Sequence, residues 1–542
     1  MVASLIVTSI STHELPFLAD AAAAAPRPHD RFRPFLVVAG AMAIGAVYAG
    51  WAGEDANWDW QNYHEYNVWA LLNGRYDHDV IPPGFQTHFN PIIYFPWYYL
   101  RHALPPAIAG MTMGAVHGLN LALVYWLSRI VLGHAANAMT VVAALLLAAL
   151  GPMTLSEVGT SFSDILTAIP IIAGLALMLA ADEPRPIRYV VAGFLVGLAL
   201  GFKLTNIVFA IGLAGAALAA ARPLVAVTCL AIGGAIGTIM TGGVWSVMLW
   251  REFGNPFFPL LNSLFPSPEM REITVLDRQF IPKGILDGLA YPFHWLVGNF
   301  RSSELPFRDA RFAMLCVLLP IAFIAQMKHT RAIFSRRDLQ LLIFFVTSYA
   351  VWLTLFSIQR YAVALELLTG PLIVLLLVRI VTAFRSTTPT YPVGQHASRS
   401  IFIIAAIIAA WSQPTDWWRR PWSNPYAPMI SSRLSRPATY LLLDKPLAFV
   451  APLLPAGSRF YTITDLALPI LPAGKYDNRI RAGLKEPLPG GVWEMHIKGQ
   501  PFRTEALATY DLMIDASQPC VEIEGAQLGS ANIACPLRPT GS

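Results

Sequence analysis

Charge is what this sequence has least of. Asp, Glu, Lys and Arg make up 13% of its 542 residues, where a soluble protein carries about 25%. Hydrophobic residues make up 55%. The deficit excludes an ordinary soluble enzyme and points to a chain that crosses a bilayer many times. The net charge of +5 has no basic stripe with stacking aromatics behind it, which argues against nucleic acid as a partner. No CxxC or HExxH spacing occurs, so no standard zinc site is encoded. No repeat of fixed period and no pair of matching halves is found. No basic residue precedes the first apolar stretch, MVASLIVTSI, so residues 1–33 read as a cytoplasmic tail and not as a secretory signal. Cysteine is scarce too. Cys229 and Cys316 sit in apolar runs as packing residues. Cys520 and Cys535 fall in the polar C-terminal part, where an exported domain would join them as a disulfide.

What is present is a series of apolar runs, near 34–50, 107–127, 137–153, 164–181, 188–202, 204–221, 224–249, 311–327, 339–357, 361–381 and 400–411. A span takes about 20 residues, so these read as about eleven spans. The runs 188–202 and 204–221 form two spans or one long bent element. Lys and Arg collect in RPHDRFR, LSRIVLGH, DEPRPIR, AAARP, MKHTRAIFSRRD and 378–399. With the N-terminus inside, every one of these loops faces the cytoplasm. The basic loop 251–310 falls on the other side, but it is long, and the charge rule is weak for long loops.

The fold expected is an all-α polytopic membrane protein with a small mixed α/β exterior domain. Its parts are a tail at 1–33, a membrane module at 34–411 with exterior loops 51–106 and 251–310, and a C-terminal domain at 412–542. The piece GILDGLAYPFHWLVGNF is amphipathic and suits the interface. WSQPTDWWRRPWSNPY, opening the last part, reads as an aromatic and basic belt at headgroup level. SRFYTITDLAL, GGVWEMHIKG and YDLMIDA are strand-like.

Residues 51–66, WAGEDANWDWQNYHEY, leave the first span with Glu54, Asp55 and Asp59 among three tryptophans. A solvated loop with Trp51, Trp58 and Trp60 as anchors would explain them. The loop is long, however, and returns through PPGFQTHFNPIIYFPWYYL, which favours a folded site. Asp59 and Tyr63, four apart, share a helix face. Asp164 opens a span in EVGTSFSDILTAIPII, where the helix dipole alone would favour an acid; Glu157 before it reads as a loop residue. Lys203 in GLALGFKLTNIVF either snorkels to the interface or clamps a phosphate. Arg360 and Tyr361 stand at the exterior start of RYAVALELLTGPL, with Arg360 placed to bind phosphate or pair with an acid. Glu366, deeper, reads as a structural partner. In FGNPFFPLLNSLFPSP, prolines fix turns, and Asn255 and Asn262 can hydrogen-bond. His64, His88 and His294 are placed to bind substrate but lack metal spacing. A divalent cation is left open, held only through carboxylates.

The order of these elements resembles the GT-C superfamily of integral-membrane glycosyltransferases, and most of all bacterial proteins of the family 87 type. The likeness runs through Asp59, Tyr63, ALLNG ending at Gly74, Tyr76, the return FNPIIYFP, then TSFSD, GFKLTN and RYAVALELLTGP, over roughly 34–380. The resemblance implies a donor sugar on a polyprenyl phosphate and a glycan, lipid or protein acceptor at the exterior face of a bacterial inner membrane. It makes Asp59 the base, with Asp55 as the alternative and Asp164 assisting. Lys203 and Arg360 would clamp the phosphate. Glu54, Tyr63, His64, Asn255 and Tyr361 are the further substrate-binding candidates. One carboxylate as base implies inversion. A flippase for lipid-linked sugars and a polysaccharide polymerase or ligase are the competing classes. The first lacks support in the absence of matching halves. The second would rest on arginines and histidine in 251–310.

The charge bias carries one prediction. A reporter active only outside the cytoplasm, fused after Ser542, is active; activity of a cytoplasm-only reporter there means an even number of spans.

Overall fold

A computed structural model describes residues 33–180, 185–273, 275, 277–328, 332–384, 393–423, 430–500, 504–523 and 531–541. The expected N-terminal tail lies outside them but for Arg33, as do parts of three expected basic loops and the end of the aromatic segment. The chain enters on α1 (Arg33–Ala52), and the loop after it carries α2 (Glu65–Leu72) and α3 (Phe95–Ala103). Then come α4 (Pro106–Leu132), α5 (Ala138–Ala149), the short α6 (Pro152–Glu157), α7 (Ser163–Leu179), α8 (Pro186–Phe202) and α9 (Ile207–Ala217). They are followed by α10 (Pro223–Thr238) and its continuation α11 (Val244–Phe253). A second long loop holds α12 (Ile285–His294), before α13 (Arg311–Lys328), α14 (Arg336–Leu355), α15 (Val363–Phe384) and α16 (Gln395–Ala410). Among the described residues, six helices are long and apolar enough to cross a membrane, and five shorter ones are apolar as well. Together they fall on the eleven runs read from the sequence.

Local chemistry sets the ends. Proline, which has no N–H to lose at a first turn, opens α4, α8 and α10. Capping boxes, in which side chains take up orphan N–H groups, start α5 at Asn137 with Thr140 and α14 at Ser335 with Asp338. Small residues let the backbones approach, as membrane packing requires. A Cβ on Gly193 of α8 would lie 2.2 Å from the Leu230 carbonyl oxygen of α10. The doubtful pair resolves into two helices. The chain is extended at Lys203, and beyond it α8 packs chiefly on α10 and α9 chiefly on α14.

The C-terminal part is a six-stranded sheet of β1 (Thr439–Leu442), β2 (Arg459–Thr462), β3 (Val492–Ile497), β4 (Leu512–Ile514), β5 (Val521–Ile523) and β6 (Asn532–Pro539). The order is β2-β1-β3-β6-β4, with β5 beside the first half of β6. β1 runs parallel to β2 and β3, and β6 is antiparallel to its neighbours. Parallel strands need crossovers, and α17 (Lys475–Lys485) supplies one between β2 and β3; α18 (Thr504–Ala508) precedes β4. Cys520 is bonded to Cys535.

The first long loop is built into this domain. Tyr66 and Ala70 of α2 join the sheet's core of Tyr440, Leu442, Phe460 and Met495. Val80 exchanges backbone hydrogen bonds with β2, to Phe460 O and from Thr462 N, both 2.9 Å. Asp79 ties the two together. It accepts from the Tyr66 hydroxyl (2.7 Å), from Arg75 Nε (3.0 Å) and Nη2 (2.6 Å), and from Phe460 N (3.0 Å). Removing one partner from a buried pair costs roughly 3–5 kcal/mol. Asp79→Ala is therefore expected to lower the unfolding midpoint by several degrees. An unchanged midpoint would show that the loop is held some other way.

Candidate active site

The stretch that leaves α1 does not run as loose loop. Asn57 accepts from Trp60 N at 2.7 Å and begins a turn of π-helix, Trp60–His64. Such turns are rare and gather at functional sites. The wider turn, which feeds straight into α2, sets both Tyr63 and His64 in the electrostatic neighbourhood of Asp59. Tyr63, Phe89, Tyr94 and His64 pack ring on ring, with His64 stacked on Tyr94 at 3.9 Å between centroids. His64 Nδ1 meets Ser161 Oγ at 2.9 Å. Burial lowers the His64 pKa to about 3, so the ring is neutral at neutral pH.

Two acid–cation pairs meet here. Asp59 pairs with Arg360, although the residues lie on opposite sides of the membrane module in sequence. Asp164, at the start of α7, accepts from Lys203 Nζ through both oxygens at 2.7 Å. Both acids are buried. Burial pushes the Asp59 carboxyl up, but the charge and hydrogen bond of Arg360 and the charge of Lys203 outweigh it and hold its pKa below the ordinary value. Asp59 is thus ionised at neutral pH. Lys203 also lies over the Tyr361 ring at 4.5 Å. Arg360 lies over Phe162 (5.3 Å), Tyr361 (5.5 Å) and Trp417 (5.8 Å). Cations over aromatic faces are favoured most where water is excluded.

Other candidates are placed differently. Asp55 is occupied as a brace. It accepts from Asn57 N (3.1 Å) and Nδ2 (2.6 Å), and from Ser161 N (2.8 Å), so it ties the first loop to the one before α7. Glu54 pairs with Arg101 (3.3 Å) and Arg420 (3.1 Å) and accepts from Ser423 Oγ (2.7 Å). Asn255 spends its amide on its own turn, donating to Leu260 O (2.9 Å) and Asn262 Oδ1 (3.2 Å) and accepting from Phe257 N (2.8 Å). His88 is a buried link between the Tyr476 hydroxyl (2.8 Å) and the Phe253 and Phe258 rings. His294 is partly exposed near Asp287. Glu366 takes the N–H groups of Met153 (3.2 Å) and Thr154 (2.7 Å) at the start of α6 and pairs with Arg311 at 3.2 Å.

Two residues carry more than the sequence suggested. Glu157 is not a loop residue: it ends α6, fully buried, and accepts from Ile165 N of α7 at 3.0 Å. It therefore supplies the cap that α7 lacks at its own N-cap, Phe162. Burial, with Asp164 adding repulsion, raises its pKa well above the usual carboxylate range. Trp417 belongs to the segment read as an interfacial belt, yet it is buried and packs on Phe162 at 5.8 Å. The close grouping of Glu494, His496 and Cys535 loses its sulfur donor to the disulfide, so it does not make a three-ligand metal set.

Among the described residues, eleven apolar helices with paired acids and cations at one mouth, and a sheet domain seated on the same loops, define a multi-pass membrane protein. The sequence profile of glycosyltransferase family 87 matches residues 88–283, which include Asp164 and Lys203 and begin after Asp59. ArnT from Cupriavidus metallidurans, solved bound to undecaprenyl phosphate, has a similar fold at 12% identity and TM-score 0.51, over 92% of this chain and 97% of that one. Its apo structure gives 12% identity and TM-score 0.52, over 91% and 97%. No curated protein sequence matches the chain. The chain is thus similar to glycosyltransferase family 87 over residues 88–283 and shares its fold with ArnT.

Asp55 yields a test of its own. Asp55→Asn turns one acceptor oxygen into an N–H group facing N–H donors. Leaving such groups unmatched costs about 1–3 kcal/mol. The expected result is a lower unfolding midpoint with donor binding kept in the folded fraction. Normal stability with activity lost would make Asp55 the chemical group.

Proposed function

We propose that the protein moves a sugar from a polyprenyl-phosphate-linked donor to an exported glycan, lipid or protein acceptor. On this reading it works at the exterior face of a bacterial inner membrane. Residues 34–411 form the membrane module and 412–542 the exterior domain that steadies its first loop. The observation that carries the reading is the meeting of Asp59 with Arg360 and of Asp164 with Lys203. A carboxylate and two cations gathered in one small space support Asp59 as the base and Lys203 and Arg360 as the phosphate-binding cations. A flippase needs no base, and the sequence has no matching halves to support one.

The chemistry follows from the pairs. Asp59 takes the proton of the acceptor hydroxyl, and the oxygen attacks the anomeric carbon. The bond from that carbon to the phosphate oxygen breaks, and its electron pair leaves with the polyprenyl phosphate. Lys203 and Arg360 stabilise the charge that develops there. One carboxylate acting as base gives inversion. In the ligand-free protein Arg360 is held by Asp59, which keeps that acid a weak base. A donor phosphate competes for Arg360 and frees Asp59 at the moment it is needed. Asp164 keeps Lys203 in place, and Glu157 keeps the start of α7 in place beneath Asp164. Tyr63, His64 and Tyr361 wall the site, where aromatic faces suit sugar rings.

General-base catalysis contributes about a hundredfold to ten-thousandfold in rate. Asp59→Asn is expected to lose that much transfer while still binding the lipid donor, measured with purified protein in bilayer discs. Transfer near the wild-type rate would remove Asp59 from the chemistry.

A further inference from the structure

The segment that follows α16 is strapped across the site. At one end Gln413 and Arg308 exchange backbone hydrogen bonds of 3.1 and 3.0 Å. At the other, Arg420 pairs with Glu54 through backbone bonds of 2.8 and 3.2 Å. Between them Arg419 donates to Gly53 O (3.0 Å), Ser156 O (3.0 Å) and Val158 O (2.5 Å). Trp418 takes φ +61, a left-handed conformation that is an outlier for a bulky residue. Strain of this kind persists where the surroundings impose it, and often at ligand clamps.

The strap's indoles differ in one respect. Trp411 Nε1 donates to Leu296 O at 2.9 Å and Trp422 Nε1 to Gly50 O at 2.8 Å. Trp417 Nε1 is buried and has no acceptor among the described residues. Beside it, Arg360 Nε is also buried without an acceptor. A native fold rarely leaves a buried donor unmatched, because each costs about 1–3 kcal/mol. Two such donors stand in one aromatic cage, one of them on a cation. An anionic, oxygen-rich group would satisfy both donors at once.

We propose that Trp417 is a donor-binding residue, its indole N–H and the Arg360 Nε–H donating to phosphate oxygens of the lipid-linked sugar. This rests on the donor proposed above and adds a residue from beyond the last span to that site. The ring of Trp417 closes the cage over Arg360, and its N–H reads the ligand. The strap fixes the ring so that the indole need not be ordered when the donor arrives.

The test is binding of undecaprenyl phosphate to the full-length protein in bilayer discs. Trp417→Phe keeps an aromatic face over Arg360 and removes the N–H. A hydrogen bond to a charged group corresponds to a tenfold or greater change in affinity, so Trp417→Phe is expected to bind at least tenfold more weakly. Trp417→His restores a ring N–H and is expected to recover part of the loss. Trp411→Phe loses only a structural bond and is expected to bind as the wild type does. Wild-type affinity in Trp417→Phe overturns the proposal, as does an equal loss in the Phe and His variants, which would mark ring shape as the cause. If Arg360→Gln abolishes binding while Trp417→Phe does not, the donor reading stands and this inference alone fails. If the wild-type protein does not bind undecaprenyl phosphate, the donor reading fails and takes this inference with it.

Discussion

Two carboxylates and two cations held together out of water are the constraint on which the rest depends. Taking such ions out of water costs several kcal/mol each unless they are paired and hydrogen-bonded. The chain meets that cost with partners drawn from distant segments. Asp59 comes from the first loop, Asp164 from the start of α7, Lys203 from the break before α9, and Arg360 from the turn before α15. Each must arrive at the same mouth of the bundle, which requires the helices between them to alternate direction. The close glycine contact between α8 and α10 and the brace of Glu366 and Arg311 beneath α6 serve that registration. At the other end of the bundle, Arg379 pairs with Asp338 at 2.9 Å, fixing α15 against α14.

A second consequence concerns the sheet domain. The first loop would be a poor platform alone, since its short helices bury little surface. It becomes rigid because α2 shares a core with the sheet and because Asp79 and Val80 are bonded to β2. His88 makes a further tie, through Tyr476, to α17. On the proposed mechanism, the sheet domain acts on the chemistry through the geometry of the loop that bears Asp59. The strap adds a direct contact, with Glu54 serving as its anchor.

Much of this was legible in the sequence. Spans announce themselves by length and hydrophobicity, and all eleven runs fell on helices. Lys203 and Arg360 stood out because a cation beside apolar runs needs a reason, and Asp164 because it shares their side. Other features were hidden for physical reasons. The π-turn at Trp60–His64 follows from hydrogen bonds of Asn57 and Ala56 that no periodicity reveals. The bonds that Asp55, Glu54 and Asn255 make to neighbouring segments are equally hidden, since a buried polar group has the same composition whether it braces a loop or binds a ligand. Trp417 was read as an interfacial anchor because tryptophans next to arginines at a membrane edge usually are. Only the return of the strap over Phe162 and Arg360 separates it from its neighbours.

The central claim is that donor phosphate takes Arg360 from Asp59. A structure of the protein with undecaprenyl phosphate bound tests it most directly. The account predicts phosphate oxygens within hydrogen-bonding reach of both Arg360 and Lys203, with the Asp59 carboxylate released and facing open space for an acceptor. A phosphate seated elsewhere, with the Asp59–Arg360 pair intact, would contradict it.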